Sequence, residues 1–480
     1  MDAGWRQYDL REIHLMSETY STGFSNNGGV AMLGNPAAAD AVQDIDTLVL
    51  NKPNAPWRVV VEGAFPTDTS DARTPVDVAV SVYEGGIPLF SANAEMSIQG
   101  QSSATDNKKG YKFKFTNPTT GNKLLIKIGD WLPSNKWDLK GYAVDRTLVR
   151  DTVSAAFWRN IRRTAPFPHN LIAPKNVWDS LQYSDLSMNA SALFSTDGFP
   201  VEMWQQDDTF FGLFVWRTTA DLPDFLLDED NRNHIQIQPQ HAGFIWDHAF
   251  TGTDWVVASP KIKKYTDQMD ISKAAPDVQA AGTRFIQWCM DVRAGNVDMR
   301  ATYPYYINLQ SWLDYILFCE AAGNGDGPQN NFNLTTWDGM IWHQCAYDMD
   351  ETWGIMFNTT VETSAPENCG FIMNQNTQSI WAGTNFFQMF YTYFLPELRA
   401  RWAELRDAGT ISYESIAKLV KQQADFIDPA MIEQDLAIWP PNGSDVIDYG
   451  VTGRNYYTFI LDWANRRIAW IDAQWGYSGA

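Results

Sequence analysis

The residues best suited to chemistry lie between Gly323 and Gly354, in GNGDGPQNNFNLTTWDGMIWHQCAYDMDETWG. Asp326 is followed five residues later by Asn331, and an acidic group containing Asp348, Asp350 and Glu351 closes the stretch. Carboxylate and amide oxygens are hard ligands of the kind Mg²⁺ takes, with water and phosphate completing its shell. Asn, Asp and Gly are also good turn formers, so the spacing alone leaves a plain loop as the alternative.

The chain between the two groups decides whether they meet. Asn333–Trp337 and Met340–Ala346 read as β-like segments. Asp338-Gly339 between them is a dipeptide favoured in a tight hairpin turn. A hairpin there places Asp326, Asn330 and Asn331 opposite Asp348 and Asp350. Just upstream, Gln310–Ala322 (QSWLDYILFCEAA) reads as a buried helix feeding the first flank.

Composition sets the outer bounds. Of 480 residues 45% are hydrophobic and 14% aromatic, with 21 Trp, enough for a large core and against global disorder. Lys and Arg number 36 against 57 Asp and Glu, a net charge of −21, which argues against a general nucleic-acid or anionic-membrane binder. A local basic patch remains compatible with phosphate binding. No apolar run is long enough to predict a membrane span, and Met1–Arg11 shows no secretory signal pattern. Cys289, Cys319, Cys345 and Cys369 form no CxxC pair, which gives neither a disulfide framework nor zinc spacing. No G-x₄-G-K-[ST] occurs, so Walker-type chemistry is unsupported. Residues 228–233 look briefly like a calcium loop but lack the Gly at its sixth position, and Pro239 stands where its bidentate Glu belongs. His241 and His248 read as structural.

The elements needed to position the site fall into three stretches. Residues 1–55, Gly/Asn/Ala-rich, read as an extended segment that serves as a docking arm. Residues 56–220 are β-rich: WRVVVEG (57–63), VDVAVSVYE (76–84), AEMSIQG (94–100), YKFKFTN (111–117), and a pair at 200–206 and 210–218. Between the strands at 94–100 and 111–117 lies GQSSATDNKKG, where Ser102, Ser103, Lys108 and Lys109 can offer N–H groups and charge to phosphates. Val149, Val153, Ala156, Phe157 and Ile161 share one helical face, with Arg150 and Asp151 at its start. Residues 136–151 read as the lead into that helix, and 220–300 as irregular. Residues 221–480 are mainly helical, with Asp428-Pro429 as an N-cap and first helical residue. The fold class is therefore α+β.

Four blocks in this order make the chain resemble the spore coat protein H (CotH) kinase family, whose members have an atypical protein-kinase fold. They are IQGQSSATDNKKGYKFKF (98–115), WDLKGYAVDRTLVRD (137–151), VEMWQQDDTFFGLF (201–214), and GNGDGPQNNFNL with YDMDETWG. Kinase-like enzymes carry a catalytic-loop Asp, an Asn five residues on, a short strand pair and a metal-binding Asp about twenty residues later. The resemblance implies a two-lobe fold with ATP and Mg²⁺ or Mn²⁺ as cofactors. It makes Asp326 and Asn331 catalytic, and Asn331, Asp348 and Asp350 metal ligands. Ser102, Ser103, Lys108, Lys109, Lys112 and Arg150 fall in the nucleotide-binding blocks. Gln99 stands where relatives have Arg, Tyr347 where they have Trp, and Thr218 where many have Glu.

Three functional classes follow. The first is a CotH-like kinase transferring the γ-phosphate of ATP to protein hydroxyls. The second is a structural virion or coat protein that keeps the fold as a scaffold, with coat or virion proteins as partners, in a phage particle or a cell-surface assembly. The third is a carbohydrate-binding or carbohydrate-cleaving protein, suggested by 21 Trp and by Asp348, Asp350 and Glu351. Retaining glycosidases need carboxyls flanking the sugar bond, which neighbours in one loop rarely do.

Overall fold

The computed structural model describes residues 45–165 apart from 71, 101 and 130, then 195–219, 225, 227, 231–239, 246, 250, 255–259, 274–328, 331–355, 366–374, 386–440 and 455–479. Asn330, His241, His248 and residues 228–230 lie outside these, as does the segment 1–44.

Alternating valines make strands here because each second side chain finds one apolar face. The first part of the chain holds β1 (Ile45–Leu50), β2 (Trp57–Glu62), β3 (Val76–Glu84), β4 (Ile87–Gln99), β5 (Gly110–Thr116), β6 (Lys123–Ile128), β7 (Lys136–Lys140), β8 (Gly198–Gln205) and β9 (Phe210–Thr218). They form one sheet in the order β1-β6-β5-β4-β3-β2-β8-β9-β7, with β7 also paired to β5. That second pairing returns the sheet on itself, so β5, β4, β3, β2, β8, β9 and β7 close into a barrel. Closure leaves these strands without open edges. Bulges at Val82/Tyr83 and Met203/Trp204 supply bends of the kind that closure needs. Trp57, Phe113, Phe115, Trp137 and Trp216 fill the interior, with Phe115 stacked on Trp216 at 5.8 Å.

The barrel is the main departure from expectation. Lys136–Lys140 was expected only to lead into a helix, yet β7 is the strand that closes the sheet. Its burial is nearly continuous, from Trp137 to Lys140. It therefore carries no alternation to read. The 1–55 stretch likewise contributes β1, which pairs in parallel with β6.

Helices dominate the second part, after α1 (Arg150–Arg163) has crossed from the barrel. They are α2 (Pro276–Arg293), α3 (Met299–Thr302), α4 (Leu309–Ala322), α5 (Gln388–Tyr393), α6 (Leu395–Asp407), α7 (Tyr413–Ala424), α8 (Pro429–Ile438) and α9 (Asn455–Trp475). Beside them lies a small antiparallel sheet ordered β11-β10-β12-β13, from β10 (Ile235–Pro239), β11 (Trp255–Ser259), β12 (Phe332–Thr336) and β13 (His343–Ala346). The region 220–300, read as irregular, thus holds α2 and two strands.

The centre of this part is α4, apolar on nearly all sides and buried from Ser311 to Ala322. Asn308 caps its start, accepting the Ser311 N–H at 2.9 Å. The expected Asp428 cap of α8 is present too, accepting the Ala430 N–H at 2.9 Å. Phe386, Phe387, Phe390 and Phe394 are all buried against this core. Buried ion pairs fix the helices around α4: Asp314 accepts from Arg162 of α1 and from Arg401 of α6 at 2.9 Å. Glu320 accepts from Arg467 of α9 at 2.8 Å. Among the described residues no helix is long and apolar enough to cross a membrane.

Candidate functional site

The hairpin forms, with its second strand shorter than the 340–346 segment read from the sequence. Strands β12 and β13 pair from Phe332↔Ala346 to Thr335↔His343. Its connection is longer than the tight two-residue turn expected. Asp338 Oδ1 instead accepts from Met340 N and Ile341 N, both at 2.8 Å, and organises a wider loop. The two flanks are brought together. Asn331 Nδ2 donates to Asp326 Oδ2, and the charge of Asp348 reaches Asp326 across the hairpin base.

Electrostatics here are unusual. Burial first, and Asp348 second, push the Asp326 carboxyl up to about 7. Burial likewise raises Asp350 well above the carboxylate range, with Asp348 and Asp151 adding to it. Glu351 is raised by burial and by Asp326, Asp350 and Asp348. Its Oε2 is buried and meets no hydrogen-bond donor among the described residues. This is a set of hard oxygens short of positive charge. Among the described residues, no three His, Cys, Asp or Glu side chains stand at the spacing of a common metal ion.

Two buried cations face the set, and the sequence reading missed both. Lys140, the last residue of β7, lies 3.8 Å from Asp348 Oδ1 and donates to Gln99 Oε1 at 3.0 Å. An arginine at position 99 would offer no acceptor, so the unusual Gln99 gives this lysine a partner. Arg217 of β9 also lies 3.8 Å from Asp348 Oδ1, and 3.0 Å from Asp151 Oδ2. Its guanidinium sits over the Tyr347 ring at 5.9 Å. Signals were present: Lys140 belongs to a quoted block, and Arg217 is a charge ending an apolar strand.

Asp151 ties the cations to the hairpin. Its Oδ1 accepts the Met349 N–H at 2.9 Å, between the two aspartates of the loop, and its Oδ2 accepts from the Tyr142 hydroxyl and Arg217. Although burial opposes it, Arg217 and these donors hold its carboxyl below the usual range. Asp348 itself has φ +52° and Asn331 φ +44°, a region that Asn and Asp enter more readily than most residues.

The other sequence-selected residues are placed elsewhere. Arg150 is buried, pairs with Asp145 at 2.6 Å and donates to the Thr352 carbonyl at 2.9 Å. Lys108 pairs with Asp435 of α8 at 2.7 Å. Lys109 donates to the Asp106 carbonyl at 2.7 Å. Lys112 stands in β5 opposite Asp138 of β7. Ser102 and Ser103 open a 3-10 turn spanning Ser102–Thr105.

Both ends of the 323–354 stretch rest on α9. Gly323, in the left-handed conformation at φ +69°, ends α4, and a Cβ there would collide with the Trp463 ring. Gly354 has φ +95°, and a Cβ there would come within 2.6 Å of Phe459 Cε1 and 3.0 Å of Trp463 Cδ1. Gly354→Ala should therefore destabilise the chain by clearly more than the ~1 kcal/mol of an ordinary glycine replacement. Urea denaturation checks this, and an unchanged midpoint would refute the packing account.

A comparison with curated proteins found no match. The family model described as CotH kinase protein matches residues 96–471. That span begins in β4, ahead of the Ser102 turn, and reaches into α9, so it contains Gln99, Lys140, Arg217, Asp326, Asp348 and Trp463 alike, and the chain belongs to the CotH family.

Proposed function

We propose that the chain is a CotH-like phosphotransferase that moves the γ-phosphate of ATP to a protein hydroxyl. One observation carries this reading: Asp326, its carboxyl at about 7, shares the base of a hairpin with Asp348, and two buried cations stand 3.8 Å from Asp348. A carboxylate poised near neutrality suits a general base. The β-rich part and the helical part play the roles of the two lobes of a kinase.

Asp348, with Asn331 and Asp350, would hold Mg²⁺ or Mn²⁺. The fit rests on donor chemistry: hard oxygens, with the Asp350 and Glu351 carboxyls raised by burial first and by neighbouring carboxylates second, and a buried Glu351 oxygen left over. Such an ion, when bound, neutralises charge on the phosphates. The protein's own part is positioning. Asp326 takes the proton of the acceptor hydroxyl as its oxygen bonds to phosphorus and the bond to the leaving ADP breaks. Asn331 orients Asp326, and Lys140 provides an ammonium for the phosphates. Ser102, Ser103, Lys109 and Lys112 lie in the 98–115 block, which the family resemblance assigns to the phosphates.

Labelling with radioactive ATP and Mn²⁺ tests the reading. Asp348→Ala should lose about 10²–10³-fold or more of the transfer, and Lys140→Met should weaken nucleotide-induced thermal stabilisation. Labelling unchanged in Asp348→Ala would remove this site from the reaction.

A second reading is favoured by one observation, the lack of metal-ligating spacing among the described carboxylates. On it the chain is a coat or virion component that keeps the fold as a scaffold. It predicts no rise in melting temperature with ATP and Mg²⁺, where occupancy at a hundred times Kd would contribute about 2.7 kcal/mol.

A further inference from the structure

Lys108 is buried, yet its ammonium is not fully engaged. It donates to Asp435 Oδ2 at 2.7 Å and stands 5.2 Å over the Phe214 ring. An ammonium carries three donors, and Asp435 accepts from the Leu213 N–H at 2.8 Å as well. The turn holding Asn107 and Lys108, the 142–146 connection between β7 and α1, and the end of α8 with Trp439 line a small cavity of about 40 Å³ that opens to solvent.

The second cation on this wall is Arg146, whose Nη2 is buried and meets no acceptor among the described residues. A desolvated guanidinium N–H without an acceptor is unfavourable, and an anion at that point removes the penalty. Two carboxylates of the wall are already occupied. Asp145 accepts from Arg150 Nη1 at 2.6 Å and from the Arg150 N–H at 2.9 Å, and Asp435 is held by Lys108 and Leu213. Asp106 is the remaining acidic group on the wall.

We propose that this cavity is a phosphoryl-group site, in which Arg146 and Lys108 are the cations that bind a phosphomonoester or inorganic phosphate. Arg presents a planar fork that matches phosphate oxygens, and Lys adds a point charge, so the pair suits a dianion. The site is distinct from the Asp326–Asp348 centre but connected to it. Tyr142 lines the cavity, and its hydroxyl donates to Asp151, which accepts from Met349 N beside Asp348. Phosphate binding here does not depend on the chain transferring phosphate.

Titrations followed by ³¹P NMR, with the full chain in chelator, test this with inorganic phosphate, phosphoserine and ADP as separate probes. Phosphate and phosphoserine should bind the wild type, bind Arg146→Gln about tenfold more weakly, and bind Arg146→Lys with an affinity between the two. Tighter binding of phosphoserine than of phosphate would assign the occupant to a phosphorylated protein, and the reverse to the free anion. ADP losing affinity in parallel with phosphate would identify the nucleotide's own phosphate as the occupant. Equal binding of phosphate and phosphoserine to wild type and Arg146→Gln, or no binding to either, overturns the proposal.

Discussion

Replacing Asp326 by Asn should lower phosphoryl transfer to a protein acceptor about 10²–10⁴-fold, the usual worth of a positioned base. The same change should stabilise the cation-free protein at neutral and alkaline pH. The sign follows from the raised carboxyl. In the unfolded chain Asp326 loses its proton near 3.8, whereas in the folded chain it keeps it to about 7. Folding is thus favoured by the bound proton below that window, and the advantage is lost as pH rises through it. At 1.36 kcal/mol per pH unit, the wild type forfeits up to about 4 kcal/mol by pH 8. Asn cannot titrate, so the variant escapes that loss. Urea denaturation in chelator at pH 4, 6 and 8 checks it, since the stability gap between the two proteins should open between pH 4 and 7. Parallel pH profiles would show that Asp326 is not held in the neutral form. With the divalent cation present, the wild-type transfer rate should rise with pH as Asp326 loses its proton, while that of the variant stays low and flat.

Asp151→Ala should cost about 3–5 kcal/mol, the range for breaking one side of a buried ion pair. It strands three donors at once: Arg217 Nη1, the Tyr142 hydroxyl and the Met349 N–H. Arg217, fully buried, would then keep the Tyr142 hydroxyl at 3.3 Å, with Asp138 at 3.5 Å and Asp348 at 3.8 Å as the carboxylates near it among the described residues. The double variant Asp151→Ala/Arg217→Met removes the stranded guanidinium but takes from buried Asp138 its cation, so it should recover only part of the loss. Denaturant midpoints of the two single variants and the double variant measure this. A loss below 1 kcal/mol in Asp151→Ala would mean that the loop is held by other contacts.

Where side chains alternate or keep helical spacing, the fold was legible. Valines 76 to 82 gave β3, the stripe from Val149 to Ile161 gave α1, and Asp428-Pro429 gave the start of α8. Barrel closure was not legible, because β7 is five residues long, almost wholly buried and without alternation. At the site, the meeting of Asp326, Asn331 and Asp348 could be read because a hairpin is local and its turn is written in Asp338 and Gly339. The cations could not. Lys140 and Arg217 reach Asp348 only through pairings between distant strands, β5 with β7 and β7 with β9. No local spacing records a long-range register. Lys108 adds a related case, a lysine in a plausible phosphate loop whose carboxylate partner lies more than three hundred residues away, which no local pattern records.

The Trp463 ring beneath Gly323 and Gly354 has a consequence for biosynthesis. Translation proceeds from the amino terminus, so Asp326 and Asp348 leave the ribosome more than a hundred residues before Trp463. Until that indole arrives, the loop carrying both aspartates lacks the packing that Trp463 gives its two ends. A chain cut short before α9 would therefore leave the loop that carries Asp326 and Asp348 without this support.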